Sequence, residues 1–154
     1  MTIKIILADD HQIVRQGLRT LLACEPDMKV VGEADNGRST LGLAEELAPD
    51  VIIMDISMPG LNGIEATREL HKQLPECRVI VHSSHNEPEI IAAAFGAGAS
   101  GYLIKGSSQS LISSIRSVIR HVSAHDDAPY VNRVPEHAIP RESRARQESS
   151  WGHL

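Results

Sequence analysis

Val51-Ile52-Ile53-Met54-Asp55 is four apolar residues in a row, closed by an acid. A strand with one wet face alternates polar and apolar side chains. An unbroken aliphatic run is covered on both faces, the mark of a central strand in a parallel sheet. Pro49-Asp50 stops whatever precedes the run, and Ser57-Met58-Pro59-Gly60-Leu61-Asn62-Gly63 is a loop by composition. The strand is therefore short, and it carries Asp55 at its carboxyl end.

The chain alternates on either side of this strand. Upstream, Ile3-Lys4-Ile5-Ile6-Leu7-Ala8 reads as a buried strand, and Val14, Leu18, Leu21 and Leu22 follow at helical spacing until Pro26-Asp27 breaks the pattern. Residues 29–34 form a second strand, Asn36-Gly37 turns the chain, and Leu41, Leu43, Ala44 and Leu47 mark a second helix. Downstream, Ile64, Leu70 and Leu74 belong to a third helix, and Arg78-Val79-Ile80-Val81-His82 is a fourth strand. A small-residue helix over 87–95 ends at Gly96 and Gly98, and Gly101-Tyr102-Leu103-Ile104 is a fifth strand. The last helix, with Ser107 or Ser108 as its N-cap, has one apolar stripe: Leu111, Ile112, Ile115, Val118, Ile119 and Val122. Such alternation implies an α/β fold with helices on both faces of a parallel sheet. Right-handed crossovers leave few topologies, and the common one at this size is a flavodoxin-like (βα)5 three-layer sandwich of strand order 2-1-3-4-5.

The bulk numbers fit one such domain with a short appendage. The chain has 154 residues, 42% of them hydrophobic. Aromatics make up only 3%, so the core is aliphatic, and a net charge of −5 gives no electrostatic footprint for nucleic acid. Cys24 and Cys77 lack CxxC spacing and read as free thiols in a reducing compartment. The amino-terminal run lacks a cleavage site, and no stretch approaches the roughly 18 apolar residues of a membrane span. The protein is expected to be cytoplasmic, without membrane contact. Beyond His121 the chain turns rich in Pro, Arg, Glu, Ser and His, so residues 1–122 are expected to form the domain and 123–154 a polar, disordered tail.

Ligands of open α/β sheets bind beyond the carboxyl ends of the strands. There the first strand ends in Asp9-Asp10, the third in Asp55, the fourth in Ser83-Ser84 and the fifth in Lys105. In the expected strand order these side chains converge. Three close carboxylates resist ionising together, and a divalent cation resolves the conflict. Mg²⁺ takes oxygen ligands, commonly one or two protein carboxylates with waters and a phosphate. With Lys105 as a compact cation and Ser83 as a hydroxyl donor, the set points to an Asp nucleophile for phosphoryl transfer.

These residues resemble the receiver domains of two-component response regulators over residues 3 to about 122, most closely the NarL/FixJ subfamily of the CheY-like fold, whose members usually carry a LuxR-type helix-turn-helix. The resemblance rests on four motifs: Ile6-Leu7-Ala8-Asp9-Asp10-His11, Asp55-Ile56-Ser57-Met58-Pro59-Gly60, Val81-His82-Ser83, and Gly98-Ala99-Ser100-Gly101-Tyr102-Leu103-Ile104-Lys105. It implies that Asp55 accepts a phosphoryl group from a phosphohistidine of a sensor kinase. Asp10, Asp55 and the backbone carbonyl of Ser57 would ligate Mg²⁺, and Asp9 would act through a water. Ser83 and Lys105 would hold the phosphoryl oxygens, and Tyr102 would turn inward when Ser83 moves. The readout would be the surface of the fourth helix, fifth strand and fifth helix, through a downstream protein or homodimerisation. Such a receiver assists its own phosphorylation and dephosphorylation but is not an enzyme with a turnover substrate.

The chain also departs from the pattern. Gly106 stands where many receivers have a proline after the lysine, so a trans bond and a freer loop are expected. Ser84 stands where alanine is frequent, and Ser57 and His85 occupy positions thought to tune phosphoryl lifetime. Ala128-Pro129-Tyr130-Val131 faintly resembles an interdomain linker and Pro140-Arg141-Glu142-Ser143 the opening of a DNA-binding domain, but no recognition helix follows. A stand-alone receiver that has lost its output domain, by truncation or a frame change, is therefore expected, and direct DNA binding is not.

His82 and His85 read as ordinary polar residues, because hard Mg²⁺ does not seek imidazole. His121 and His125 have Zn²⁺ spacing but stand where the helix should fray. A phosphatase of the haloacid-dehalogenase kind would need Asp-x-Asp after the first strand. A flavodoxin would need a phosphate loop there, which Asp9-Asp10 would repel. The remaining alternatives are an unphosphorylated interaction module and the receiver part of a truncated DNA-binding regulator.

Overall fold

The computed structural model of the chain describes residues 1–106, 109–121 and 130–131. The elements run β1 (Ile3–Ala8), α1 (Gln12–Ala23), β2 (Met28–Ala34), α2 (Gly37–Leu47), β3 (Val51–Met54), α3 (Gly63–Gln73), β4 (Arg78–Ser83), α4 (Pro88–Gly96), β5 (Gly101–Ile104), α5 (Gln109–His121) and β6 (Tyr130–Val131). All strand pairs are parallel. The sheet order is β2-β1-β3-β4-β5-β6, so the expected flavodoxin-like order holds and a sixth strand extends it. That strand falls in the stretch where sequence composition suggests only an unstructured tail. The rest of the tail lies outside the described residues, as do Ser107, Ser108, Val122 and His125 and the side chain of His121.

The period-2 pattern of the strands sorts their side chains into two cores. Ile3, Ile5 and Leu7 of β1 pack with Leu18 and Leu22 of α1 and with Leu111, Ile115 and Val118 of α5. Ile6 and Ala8 point to the other face, against Ala44 of α2, Ala66 and Leu70 of α3 and Ala94 of α4. All four residues of β3 are buried, as an aliphatic run between two helical layers must be. Each such Ile or Leu contributes about 1.5–3 kcal/mol by leaving water. Tyr102 belongs to the second core and is fully buried.

Asn36 does more than turn the chain. Its side chain accepts the Ser39 N–H at 2.8 Å, so it is the N-cap from which α2 starts at Gly37. Asn62 does the same for α3 through the Glu65 N–H at 3.0 Å. Gly63 follows this cap for a steric reason: a Cβ there would stand 1.9 Å from the carbonyl oxygen of Asp55. The start of α3 thus lies directly against the backbone of Asp55.

Candidate functional site: an acidic cluster at the carboxyl edge of the sheet

Strand pairing sets the site. Ala8 is in register with Met54, and the Asp55 N–H continues the ladder by donating to the Ala8 carbonyl at 2.8 Å. Asp9 continues it on the other side, its N–H donating to the Ala34 carbonyl at 3.0 Å. Ser83 is in register with Ile104, and the Lys105 N–H donates to the Ser83 carbonyl at 2.9 Å. Asp9, Asp55, Ser83 and Lys105 are therefore held by backbone bonds one residue beyond, or at, the ends of four adjacent strands.

Asp9 and Asp55 are buried, and Lys105 is the cation between them. Its ammonium stands 3.0 Å from Asp9 Oδ2 and 3.3 Å from Asp55 Oδ2. The contact to Asp55 is a hydrogen bond; that to Asp9 is an ion pair without hydrogen-bond geometry. Asp9 Oδ1 accepts the His11 N–H at 2.9 Å and lies 3.1 Å from His11 Nδ1. Its backbone carbonyl accepts from the Arg15 guanidinium. Asp55 Oδ1 accepts the Ile56 N–H at 2.8 Å.

These environments push the two acids apart. Burial works against the Asp9 carboxylate, but the His11 N–H and the Lys105 ammonium prevail and hold its pKa below the ordinary value. Burial and then the charge of Asp9 raise the Asp55 pKa, with Lys105 offsetting only part of this. Lys105 itself is raised, the two carboxylates outweighing its burial. One base thus serves two acids, and Asp55 is left under-neutralised.

Oxygen atoms of Asp9, Asp10 and Asp55 and a ring nitrogen of His11 all lie within 4.8 Å of one another, a grouping that could hold a metal ion. Asp10 is partly open to solvent, with a side-chain exposure of 34%. Of the residues singled out from the sequence, Asp9, Asp10, Asp55 and Lys105 meet in this cluster. Ser83 borders it through the Lys105 backbone. Tyr102 stands further back, turned inward, its hydroxyl donating to the His85 carbonyl at 2.7 Å. Burial raises its pKa. Ser57 is exposed in the loop after Asp55, its Oγ 3.3 Å from His85 Nε2.

Two histidines have more to do than the sequence discloses. His11 bridges Asp9 and Asp10, with Nδ1 3.0 Å from Asp10 Oδ1; its place directly after the paired acids was the available signal. His85 uses its N–H on Ser83 Oγ at 3.1 Å, its carbonyl on Tyr102 and its ring on Ser57. Two of those three bonds use backbone atoms, which residue type cannot reveal. His82, by contrast, stays outside the cluster; burial depresses its pKa to about 4. Gly106 has φ +99°, a left-handed conformation that suits glycine, and no cis peptide bond occurs among the described residues.

Residues 5–116 match the family described as the response regulator receiver domain. The transcriptional regulatory protein DegU of Brevibacillus brevis is 44% identical over 103 residues, 67% of this chain and 44% of the relative. LiaR of Bacillus subtilis, also a transcriptional regulatory protein, is 36% identical over 156 residues, 95% of this chain and 72% of the relative. A LuxR-family two-component response regulator from Aurantimonas sp. SI85-9A1 superposes with a TM-score of 0.80 at 31% identity, covering 97% of this chain and 99% of that structure. The chain spans about half the length of most of the curated relatives it matches.

Proposed function

Because the chain belongs to the response regulator receiver domain family of two-component systems, we propose that Asp55 accepts a phosphoryl group from a phosphohistidine of a sensor kinase. The observation that carries this reading is the under-neutralised Asp55: a buried carboxylate with a raised pKa, beside a second acid, with one shared lysine. A structural ion pair gains nothing from a second buried acid that one point charge cannot also neutralise. A nucleophile that must meet a cation and a phosphoryl group does.

The residues fit Mg²⁺, since the cluster offers hard carboxylate oxygens in excess of its internal positive charge. Asp10 and Asp55, with the Ser57 carbonyl, would hold the ion. Both oxygens of Asp9 already face partners, His11 and Lys105, which suits an action through water. When bound, Mg²⁺ supplies charge that draws the acids together and offsets the phosphoryl oxygens. An Asp55 carboxylate oxygen forms the new P–O bond as the P–N bond to the donor imidazole breaks, and the imidazole departs with that electron pair. Lys105, freed from part of its pairing with Asp55, holds a phosphoryl oxygen, and the Ser83 hydroxyl donates to another.

Output runs through the surface of α4, β5 and α5, toward a downstream protein or a second copy of the chain. This chemistry is transfer onto the protein itself, without a metabolic turnover substrate. On this reading the receiver is a cytoplasmic protein. Among the described residues no helix is long and apolar enough to cross a membrane.

Intact mass after incubation with acetyl phosphate tests the reading. Wild type should gain one phosphoryl group only when Mg²⁺ is present, and Asp55→Asn should gain none. An equal gain in both proteins would contradict it.

A further inference from the structure

The outer edge of β5 is not bare. Tyr130–Val131 lies along it in parallel, Gly101 facing Tyr130 and Tyr102 facing Val131, and α5 also packs on this strand. A strand of two residues, paired among the described residues with β5 alone, belongs to the weakly held end of a structure, where local opening is frequent.

What Tyr102 does at its other end matters here. Its backbone faces Val131, while its hydroxyl donates to the His85 carbonyl at 2.7 Å. The His85 N–H donates to Ser83 Oγ at 3.1 Å, and the Ser83 carbonyl accepts the Lys105 N–H at 2.9 Å. The Lys105 ammonium donates to Asp55 Oδ2 at 3.3 Å. A continuous run of bonded groups therefore leads from Asp55 to the residue that faces β6.

We propose that β6 is a strap whose pairing with β5 tightens when Asp55 carries a phosphoryl group, an inference that rests on the phosphoacceptor reading above. The direction follows from hydroxyl chemistry. Ser83 Oγ can donate to a phosphoryl oxygen while it still accepts from the His85 N–H. A hydroxyl that donates to an anion becomes a better acceptor, and the chain of bonds strengthens as a unit. That holds the His85 loop in place, fixes Tyr102 inward and removes freedom from the strand segment facing Val131. Linkage makes the effect reciprocal: a firmly paired strap favours the phosphorylated state. Because an unpaired edge is a template for another strand, the state of the site also sets how often the β5 edge stands open.

Amide hydrogen exchange read by mass spectrometry on the full chain tests the strap at the peptide carrying Tyr130 and Val131. The arms are wild type, wild type with Mg²⁺ alone, wild type with Mg²⁺ and acetyl phosphate, and Tyr102→Phe with and without the phosphodonor. Phosphorylated wild type should exchange there about fivefold more slowly, the change in opening that one hydrogen bond of ordinary net strength produces. Tyr102→Phe should exchange faster than wild type, and phosphorylation should no longer slow it. A chain carrying one added phosphoryl group whose 130–131 amides exchange at the unmodified rate overturns the strap and leaves the phosphoacceptor standing. Unchanged exchange in unmodified Tyr102→Phe overturns the strap as well. Absence of any adduct in wild type removes the phosphoacceptor reading and the strap's phosphoryl dependence together.

Discussion

Two groups of charged side chains, each with two acids and one base, sit at opposite edges of the same sheet. Asp9, Asp55 and Lys105 follow the carboxyl ends of strands; Glu25 and Asp27 precede β2 and meet Arg116 of α5. At the second group one guanidinium reaches both acids, at 2.7 Å to Glu25 and 3.1 Å to Asp27. Its fork matches two carboxylates, and solvent covers what remains. The Asp27 pKa falls and the Arg116 pKa rises, so both partners gain. At the first group a point charge is shared between two buried acids, and one of them, Asp55, is raised. The same residue classes thus give a closed clip at one edge and an incomplete site at the other. Burial and ligand geometry make the difference, not composition.

The largest expected effect breaks the scaffold of the incomplete site. Gly63→Ala would put a Cβ 1.9 Å from the Asp55 carbonyl oxygen. The start of α3 must then move, at a cost of ~3 kcal/mol in chemical denaturation. A near-neutral result would mean that α3 is not seated on Asp55 as described.

Removing the bases compares the two groups directly. Lys105→Met leaves two buried carboxylates without their cation and should destabilise by about 3 kcal/mol at neutral pH, with part recovered on adding Mg²⁺. Arg116→Met should cost clearly less, and high salt should abolish its effect because the clip is exposed to solvent. Equal losses in urea titrations of the two variants would erase the distinction drawn here.

Asp55→Asn should act in the opposite direction. An acid whose pKa is higher folded than unfolded adds stability while protonated and loses that addition as pH rises through the folded value. At neutral pH without divalent metal, the variant should therefore melt above wild type. The gap should close as pH falls below the ordinary carboxylate range, and Mg²⁺ should narrow it.

The effect that vanishes at neutral pH is that of His82. Its folded pKa of about 4 lies below the ordinary 6.5, mainly through burial and then the nearby Lys105 charge. Between those values the unfolded chain binds the extra proton, so stability falls as pH is lowered through that window and levels off near the lower value. His82→Leu should flatten this part of the acid limb of a pH–stability curve. An unchanged limb would show that His82 titrates normally.

Much of this was legible in the residues. The run 51–54 placed a buried parallel strand because Pro49-Asp50 and the 57–63 loop leave it too short for a helix, and an unbroken aliphatic strand is covered on both faces. Chirality left few strand orders, and taking the common one at this size gave the convergence of Asp9, Asp55 and Lys105. The bridging of Asp9 and Asp10 by His11 was less legible, because a ring beside two acids has several rotamers and only packing selects one. His85 was hidden more deeply, since its links to Ser83 and Tyr102 use backbone groups that every residue possesses. Tyr130–Val131 as β6 was missed because two residues carry no periodicity; only the neighbouring edge of β5 makes them a strand. Asn36 reads as a turn until the Ser39 N–H is seen to point at it.

The central claim is that Asp55, and no other acid of the cluster, takes the phosphoryl group. Borohydride reduction of the chain after treatment with acetyl phosphate and Mg²⁺ converts an acyl phosphate on aspartate to homoserine, which peptide sequencing by mass spectrometry locates. Homoserine at position 55 alone is the result expected here. Homoserine at Asp9 or Asp10, with position 55 intact, would contradict it.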